Sequence, residues 1–329
     1  MRTPAAALLL SALALARAAS TTRPIIGILT MPNTDFSAHP RNASFFPASY
    51  AKFLESGGAR VVPIPFDLPA PALAALLRNI NGALFTGGAA AFFDAAGAPT
   101  PYARAGAAIY AEVRRAAAAG ESWPLWGTCL GHELVAVVAA GAADAAASPL
   151  ARGFDADNLT LPVAFTPAAG ASRLWGGGAA ARAAAAAFAG GLAYNSHTQG
   201  LAPAAFAAAP QLARDFVITG VSADRAGREF VATMEGRALP VFTTQWHPEK
   251  PAYEWNDPAL NDIPHTLEAV TANAWPALFF AQQARGNARA FASPAEENAA
   301  LIYNTAPDFA PARGETEIFE QIYFFPASA

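Results

Sequence analysis

The sequence predicts an α/β fold with a mostly parallel central sheet. Short apolar runs, several of them rich in β-branched residues, alternate with segments of helical periodicity about 10 to 15 residues long, the pattern of βαβ units. The helical segments also stop at glycine, as at Gly57-Gly58 and Gly120, where the chain must turn back toward the sheet.

The elements follow in order. Pro24-Ile-Ile-Gly-Ile-Leu29 reads as a buried strand, and a polar, Pro-containing loop follows from Pro32 to Pro47. Ala48 to Ser56 carries Tyr50, Phe53 and Leu54 at helical spacing, and Arg60 to Ile64 is a second strand. Leu68 to Arg78 is a helix with Pro69 and Pro71 near its start and Leu73, Leu76 and Leu77 on one face. Asn81 to Phe85 is a third strand, running into Thr86-Gly87-Gly88. Ala105 to Ala119 is a helix, Trp123 to Trp126 a fourth strand, and Glu133 to Ala140 an apolar helix. From Gly141 to Gln211 the chain is Ala/Gly-rich and less regular. Val217 to Val221 and Glu229 to Met234 suit a hairpin turning at Ala223–Gly227, and Pro240 to Gln245 is a further strand. A helix from Thr271 to Arg285 precedes a tail rich in aromatic residues and Pro, from Ser293 to Pro326.

Composition bounds the function. The 329 residues are 53% hydrophobic and 14% charged, but much of the apolar count is Ala, which contributes little burial energy. Net charge is −4, Lys occurs only at Lys52 and Lys250, and Arg is scattered, which argues against nucleic-acid binding. Arg2, the apolar stretch Ala5 to Ala16 and Ala16-Arg-Ala18 form a secretory signal, so residues 1–19 are expected to be removed and 20–329 to form one domain. Beyond it no run of about 18 bulky apolar residues indicates a membrane span. The sequons at Asn42 and Asn158 are glycosylation candidates consistent with secretion. A single cysteine, Cys129, forbids an intramolecular disulfide; it is either a buried inert thiol or a functional one.

Its setting favours function. Cys129 directly follows a predicted strand and precedes a helix, between Gly127 and Gly131. Small neighbours let the backbone turn sharply, lifting the side chain above the sheet edge with the following N–H groups facing a developing oxyanion. A helix N-terminus also favours thiolate. The nucleophile needs a base, and His247 in Gln245-Trp-His-Pro-Glu249 follows another strand. Glu249, two residues on, can hydrogen-bond one imidazole nitrogen and leave the other for the thiol. A structural Gly-rich turn and a surface His-Pro turn are the plainer alternatives.

Gly127-Thr-Cys-Leu-Gly131 with Gln245-Trp-His-Pro-Glu249 resembles the class I glutamine amidotransferase-like superfamily, and within it the γ-glutamyl hydrolase family. The resemblance extends over Arg23–Leu29, Ala48–Ser56, Gly58–Ile64, Asn81–Gly88, Trp126–Glu133, Thr233–Gly236, Gln245–Lys250 and Tyr253–Trp255, and into the aromatic tail at Ala300–Tyr303 and Gln321–Tyr323. It implies a flavodoxin-like three-layer α/β/α sandwich and hydrolysis of folylpoly-γ-glutamates through a γ-acyl thioester on Cys129. His247 would be base and then acid, Glu249 would orient it, and the Gly88 and Leu130 N–H groups would form the oxyanion hole. His197 (in Asn195-Ser-His197) would help bind substrate, with a plain loop histidine as the alternative; Glu133 is a substrate contact or a helix-start carboxylate favoured by the dipole, Gly87 is a further substrate-contact candidate, and no cofactor or metal is expected. The resemblance also raises a homodimer, for which the sequence shows no interface, and a vacuolar, lysosomal or extracellular location.

There are departures. Met31 and Pro32 follow Thr30 where the family commonly has Gln, and Ala142 to Gly190 shows little family character, leaving chain-length preference open. Two rivals stand beside the hydrolase. A glutaminase feeding a synthetase shares the triad but would be parted from cytosolic partners by the signal. An inactive binding protein would not need Cys129, His247 and Glu249 together.

Overall fold

The computed structural model describes residues 20–34, 36, 43–255, 262–309 and 319–328. The signal, residues 1–19, and the sequon at Asn42 lie outside these residues.

Five parallel strands form the centre of an eight-stranded sheet: Arg60–Ile64, Ile25–Leu29, Gly82–Phe85, Leu125–Thr128 and Val241–Thr244, in that spatial order. Numbered by sequence the order is 2-1-3-4-5, the flavodoxin-like doubly wound arrangement, in which ligands bind beyond the carboxyl ends of the strands. Glu229–Gly236, Phe216–Ala223 and Ala164–Phe165 extend the sheet as antiparallel strands. The first two are the hairpin expected around Ala223–Gly227.

Residues of the parallel strands are buried almost throughout, which is why they read as continuous apolar runs. Alternate side chains feed two cores. Ile26, Ile28, Leu84, Trp126 and Phe242 pack with Phe53, Leu54, Phe188 and Phe280 of the helices Ala48–Ser56, Ala179–Ala189 and Leu267–Ala284. Leu29, Phe85, Leu125 and Val241 pack with Leu73, Leu77, Ile109, Val113 and Leu134 of the helices Ala70–Leu77, Pro101–Ala118 and Leu130–Ala140. The result is the three-layer sandwich.

Several boundaries differ from expectation. The helices expected from Ala105 and Thr271 begin four residues earlier, at Pro101 and Leu267. Thr100 and Thr266 cap them, each hydroxyl accepting from the N–H three residues on, and Pro101 sits in the first turn where no intrahelical N–H is lost. The helix expected from Glu133 begins at Leu130, directly after Cys129. The loop expected from Pro32 to Pro47 ends in a strand, Ser44–Pro47, paired antiparallel with Gln321–Phe325 of the aromatic tail.

The larger difference lies between Gly141 and Gln211. Ala151–Leu161 and Ala193–Gly200 form an antiparallel pair with two register shifts, and Ala179–Ala189 is helical. The helix is almost all alanine, which lacks the contrast by which periodicity is recognised, and the register shifts break the alternation of the strand pair into short pieces.

At the amino ends of the strands a buried amide pair closes the sandwich. Asn81 Nδ2 donates to Asn287 Oδ1 at 2.8 Å, and Asn287 Nδ2 donates to the Asn81 and Ser122 carbonyls at 3.0 and 2.8 Å. Asn287→Ala takes these donors from the Asn81 and Ser122 carbonyls, while Asn81 Nδ2 keeps the Arg289 carbonyl at 3.0 Å, and a loss of about 1–3 kcal/mol is expected. Urea unfolding should show a lower midpoint with unchanged slope, and Cys129, at the opposite strand ends, should keep its reactivity.

Candidate active site

The carboxyl ends of three neighbouring strands converge. Gly82–Phe85 delivers Gly87 and Gly88, Leu125–Thr128 delivers Cys129, and Val241–Thr244 delivers the segment Gln245 to Glu249.

Cys129 adopts φ 50° and ψ −109°, one of two non-glycine residues with positive φ among those described. Such a conformation costs about 1–3 kcal/mol and persists only where the surroundings enforce it. Its N–H donates to the Thr244 carbonyl at 2.9 Å, and its carbonyl accepts from Glu133 N–H at 3.0 Å. The flanking glycines are required by space. A Cβ on Gly127 would stand 2.5 Å from the Gly131 carbonyl oxygen, and one on Gly131 would overlap the Phe85 carbonyl.

His247 Nδ1 lies 2.7 Å from Glu249 Oε1. A carboxylate only accepts, so Nδ1 carries the proton and Nε2 the lone pair. Nε2 is buried and has no hydrogen-bond partner among the described residues. Both His247 and Glu249 are buried. Gly87 lies between imidazole and nucleophile: a Cβ there would be 2.6 Å from His247 Cε1 and 3.2 Å from Cys129 Cβ, so those two atoms are no further apart than the sum of these distances.

Sequence reasoning missed Tyr50. Its hydroxyl accepts from Gly87 N–H at 2.8 Å and lies 3.4 Å from His247 Nδ1. Burial, with the Glu249 carboxylate beside it, holds the phenol well above its usual pKa, so it remains a neutral hydroxyl. It stands 79 positions before Cys129 in a helix where it read as core, and only its place in a family-like segment could have signalled it. Gly87 is thus placed against the His247 and Cys129 side chains, with its N–H taken by Tyr50, rather than in the cavity wall.

A cavity of about 710 Å³ opens over Cys129, and Gly88, Leu130, Glu133 and His197 line it. The Cys129 thiol donates to the Ser196 carbonyl at 3.9 Å. Gly88 has φ +146°, and a Cβ there would overlap Met31, so this backbone conformation is reserved for glycine. Glu133 is buried; Oε2 accepts from Gln199 Nε2 at 2.8 Å and Oε1 from Gln245 Nε2 at 3.2 Å. Burial pushes its carboxyl up to about 7 against the pull of those amides and of Arg152. Burial is also the main reason the Cys129 thiol is raised far above its usual range; Glu133 and Glu249 add to this, and the Leu130 N–H and Lys250 oppose it. Its surroundings therefore favour the protonated thiol over the thiolate.

His197 is buried beside Phe230, ring centroids 4.6 Å apart, and its pKa is pushed down to about 4 by burial. Its Nδ1 lies 2.8 Å from the Gln199 carbonyl, which fixes the proton there and leaves Nε2 as an acceptor. His132 is held in the core: its Nδ1 bonds Thr243 Oγ1 at 2.8 Å, and burial pushes its pKa down to about 3. Asn158 is half-buried in Ala151–Leu161, where its Oδ1 accepts from Tyr194 OH at 3.4 Å.

Two outcomes test this geometry. Gly87→Ala should fold yet lower the rate of Cys129 chemistry by about a hundredfold or more, because its methyl displaces imidazole from thiol. Glu133→Gln removes a charge that holds the thiol protonated, so the pH profile of Cys129 alkylation by iodoacetamide should move to lower pH. An unchanged or upward-shifted profile would refute the coupling.

A family model for peptidase C26 matches residues 24–249. The γ-glutamyl hydrolase of Mus musculus is 34% identical over 303 residues, covering 92% of this chain and 90% of that one. That of Homo sapiens is 33% identical over 304 residues with the same coverage, and γ-glutamyl hydrolase 1 of Arabidopsis thaliana is 29% identical over 308 residues, 92% and 83%. A cysteine on a strained strand–helix turn, backed by a histidine whose tautomer a carboxylate fixes, is what a cysteine peptidase needs, and by these matches the chain belongs to the peptidase C26 family of γ-glutamyl hydrolases.

Proposed function

We propose that the chain hydrolyses γ-glutamyl bonds of folylpoly-γ-glutamates through a thioester on Cys129. The observation that carries this is the His247 Nε2 lone pair, buried, unpartnered and held beside the thiol by Gly87 and Glu249. Nε2 takes the proton from Sγ as the sulfur attacks the γ-carbonyl carbon. The carbonyl oxygen gains the negative charge, and the Gly88 and Leu130 N–H groups are the donors on hand for it. His247 then gives its proton to the departing α-amino nitrogen, the C–N bond breaks, and a thioester remains. Water, deprotonated by His247, attacks the thioester; the acid leaves and the thiol regains its proton. Glu249 holds the imidazole in one tautomer throughout.

The cavity supports an extended substrate over free glutamine. Its volume of about 710 Å³ is in the range of sites for drug-sized ligands, far more than one amino acid fills. Residues 1–19 are read as a secretory signal removed from a single domain of residues 20–329 bound for a vacuole, a lysosome or the exterior, with Asn158 a candidate for glycosylation. No helix among the described residues is long and apolar enough to cross a membrane.

Incubation with a synthetic pteroylpolyglutamate and, separately, with glutamine, followed by mass, tests the assignment. Release of glutamate or polyglutamate is expected, absent in Cys129→Ala and lowered by about a thousandfold or more in His247→Ala. Ammonia from glutamine without pteroyl cleavage would sink it in favour of a glutaminase.

A further inference from the structure

The geometry points to Arg152 as a specificity-determining residue, its guanidinium pairing with the α-carboxylate of a glutamyl residue that flanks the scissile γ-bond. This rests on the γ-glutamyl reading above and adds what distinguishes the substrate. In a γ-linked chain every residue keeps a free α-carboxylate, so the ligand is a polyanion.

The cavity wall holds three acids, Asp94, Glu133 and Asp157, and Arg152 is the one basic side chain lining it among the described residues. The acids are already engaged. Asp94 Oδ1 accepts from the N–H groups of Ala96 and Ala98, both at 2.9 Å, Asp157 Oδ1 accepts from Ser196 Oγ at 2.7 Å, and Glu133 is held by Gln199 and Gln245. Arg152 forms no ion pair among the described residues, and its side chain is exposed to the cavity's solvent.

Its main chain is fixed. Arg152 sits opposite Gln199 in the strand pair, and its carbonyl accepts from Arg228 Nη1 at 2.9 Å. The Arg228 guanidinium itself lies 3.9 Å over the Phe154 ring. Gln199 in turn reaches Glu133, one helical turn from Cys129, and the Arg152 charge is felt at Glu133. A free guanidinium thus lines the cavity that opens on the nucleophile, on a backbone held by the strand pair and by Arg228, in a wall otherwise hostile to anions. Guanidinium matches carboxylate with two parallel N–H···O bonds, which an ammonium cannot do.

The test uses the full chain, pteroyltriglutamate, and analogues in which each α-carboxylate in turn is an α-carboxamide. Because the α-carboxylate keeps its charge through the reaction, Arg152→Ala should raise KM about tenfold to a hundredfold with kcat within about twofold. Wild type should lose a similar factor on one particular carboxamide analogue, and Arg152→Ala should be indifferent to that change. Arg152→Lys should recover part of the loss, a point charge without the fork. Thermal unfolding should be unchanged in both variants. Unaltered KM in Arg152→Ala, or equal losses for wild type and variant on every analogue, would overturn the assignment of Arg152 alone. Failure of wild type to cleave any pteroylpolyglutamate would overturn the γ-glutamyl reading, and this inference with it.

Discussion

The hydrogen bond from Cys129 N–H to the Thr244 carbonyl, 2.9 Å long, ties the end of the nucleophile's strand to the end of the base's strand. It continues the parallel register in which Thr128 faces Thr244, so the strained turn at Cys129 begins where sheet order ends. The loop beyond Thr244 is pinned as firmly. Gln245 N–H donates to the Ala232 carbonyl at 2.7 Å and His247 N–H to the Tyr194 carbonyl at 2.9 Å. Imidazole and thiol are therefore brought together by main-chain bonds of the sheet and its edges, before any side chain contributes. A side-chain array resting on such a frame can hold the sub-ångström placement that chemistry requires.

The proposed reacting groups and much of the cavity wall come from different parts of the chain. The doubly wound sheet supplies Cys129, His247 and the glycines that let them approach. The antiparallel pair Ala151–Leu161 and Ala193–Gly200, outside that sheet, supplies Arg152, Asp157, Ser196, His197 and Gln199 to the cavity wall. Changes in this added pair can alter what is bound while the reacting groups stay in place, the usual division between scaffold and site.

This division explains what the sequence disclosed. The parallel strands were legible because burial on both faces leaves continuous apolar runs. Cys129 was legible because clearance demands glycine at both Gly127 and Gly131, and His247 because its carboxylate partner is two residues away. Tyr50 left no local trace: what matters about it is one hydroxyl reached through the fold. The strand carrying Arg152 alternates only in short pieces, Phe154–Asp157 and Leu159–Leu161, between which its register shifts, and Arg152 lies outside both. Gly87 was expected to touch substrate, since a glycine beside an active site permits close approach; the approach it permits is that of His247 and Cys129 to each other.

The electrostatics of Cys129 bear on why the chain tolerates one unpaired thiol. A thiolate is the species that exchanges with disulfides and is oxidised, and its fraction falls as the thiol pKa rises. Burial and the Glu133 and Glu249 carboxylates raise that pKa, while the Leu130 N–H and Lys250 pull against them without prevailing. The free enzyme thus carries its only cysteine nearly enclosed and biased toward the thiol. On the proposed mechanism reactivity is supplied at the moment of use, by proton transfer to His247 as the sulfur bonds to carbon and the charge moves to an oxygen that the Gly88 and Leu130 N–H groups would meet. A thiol whose surroundings favour its protonated form is less exposed to oxidation than a thiolate, and on the proposed mechanism its activation falls to the His247 lone pair.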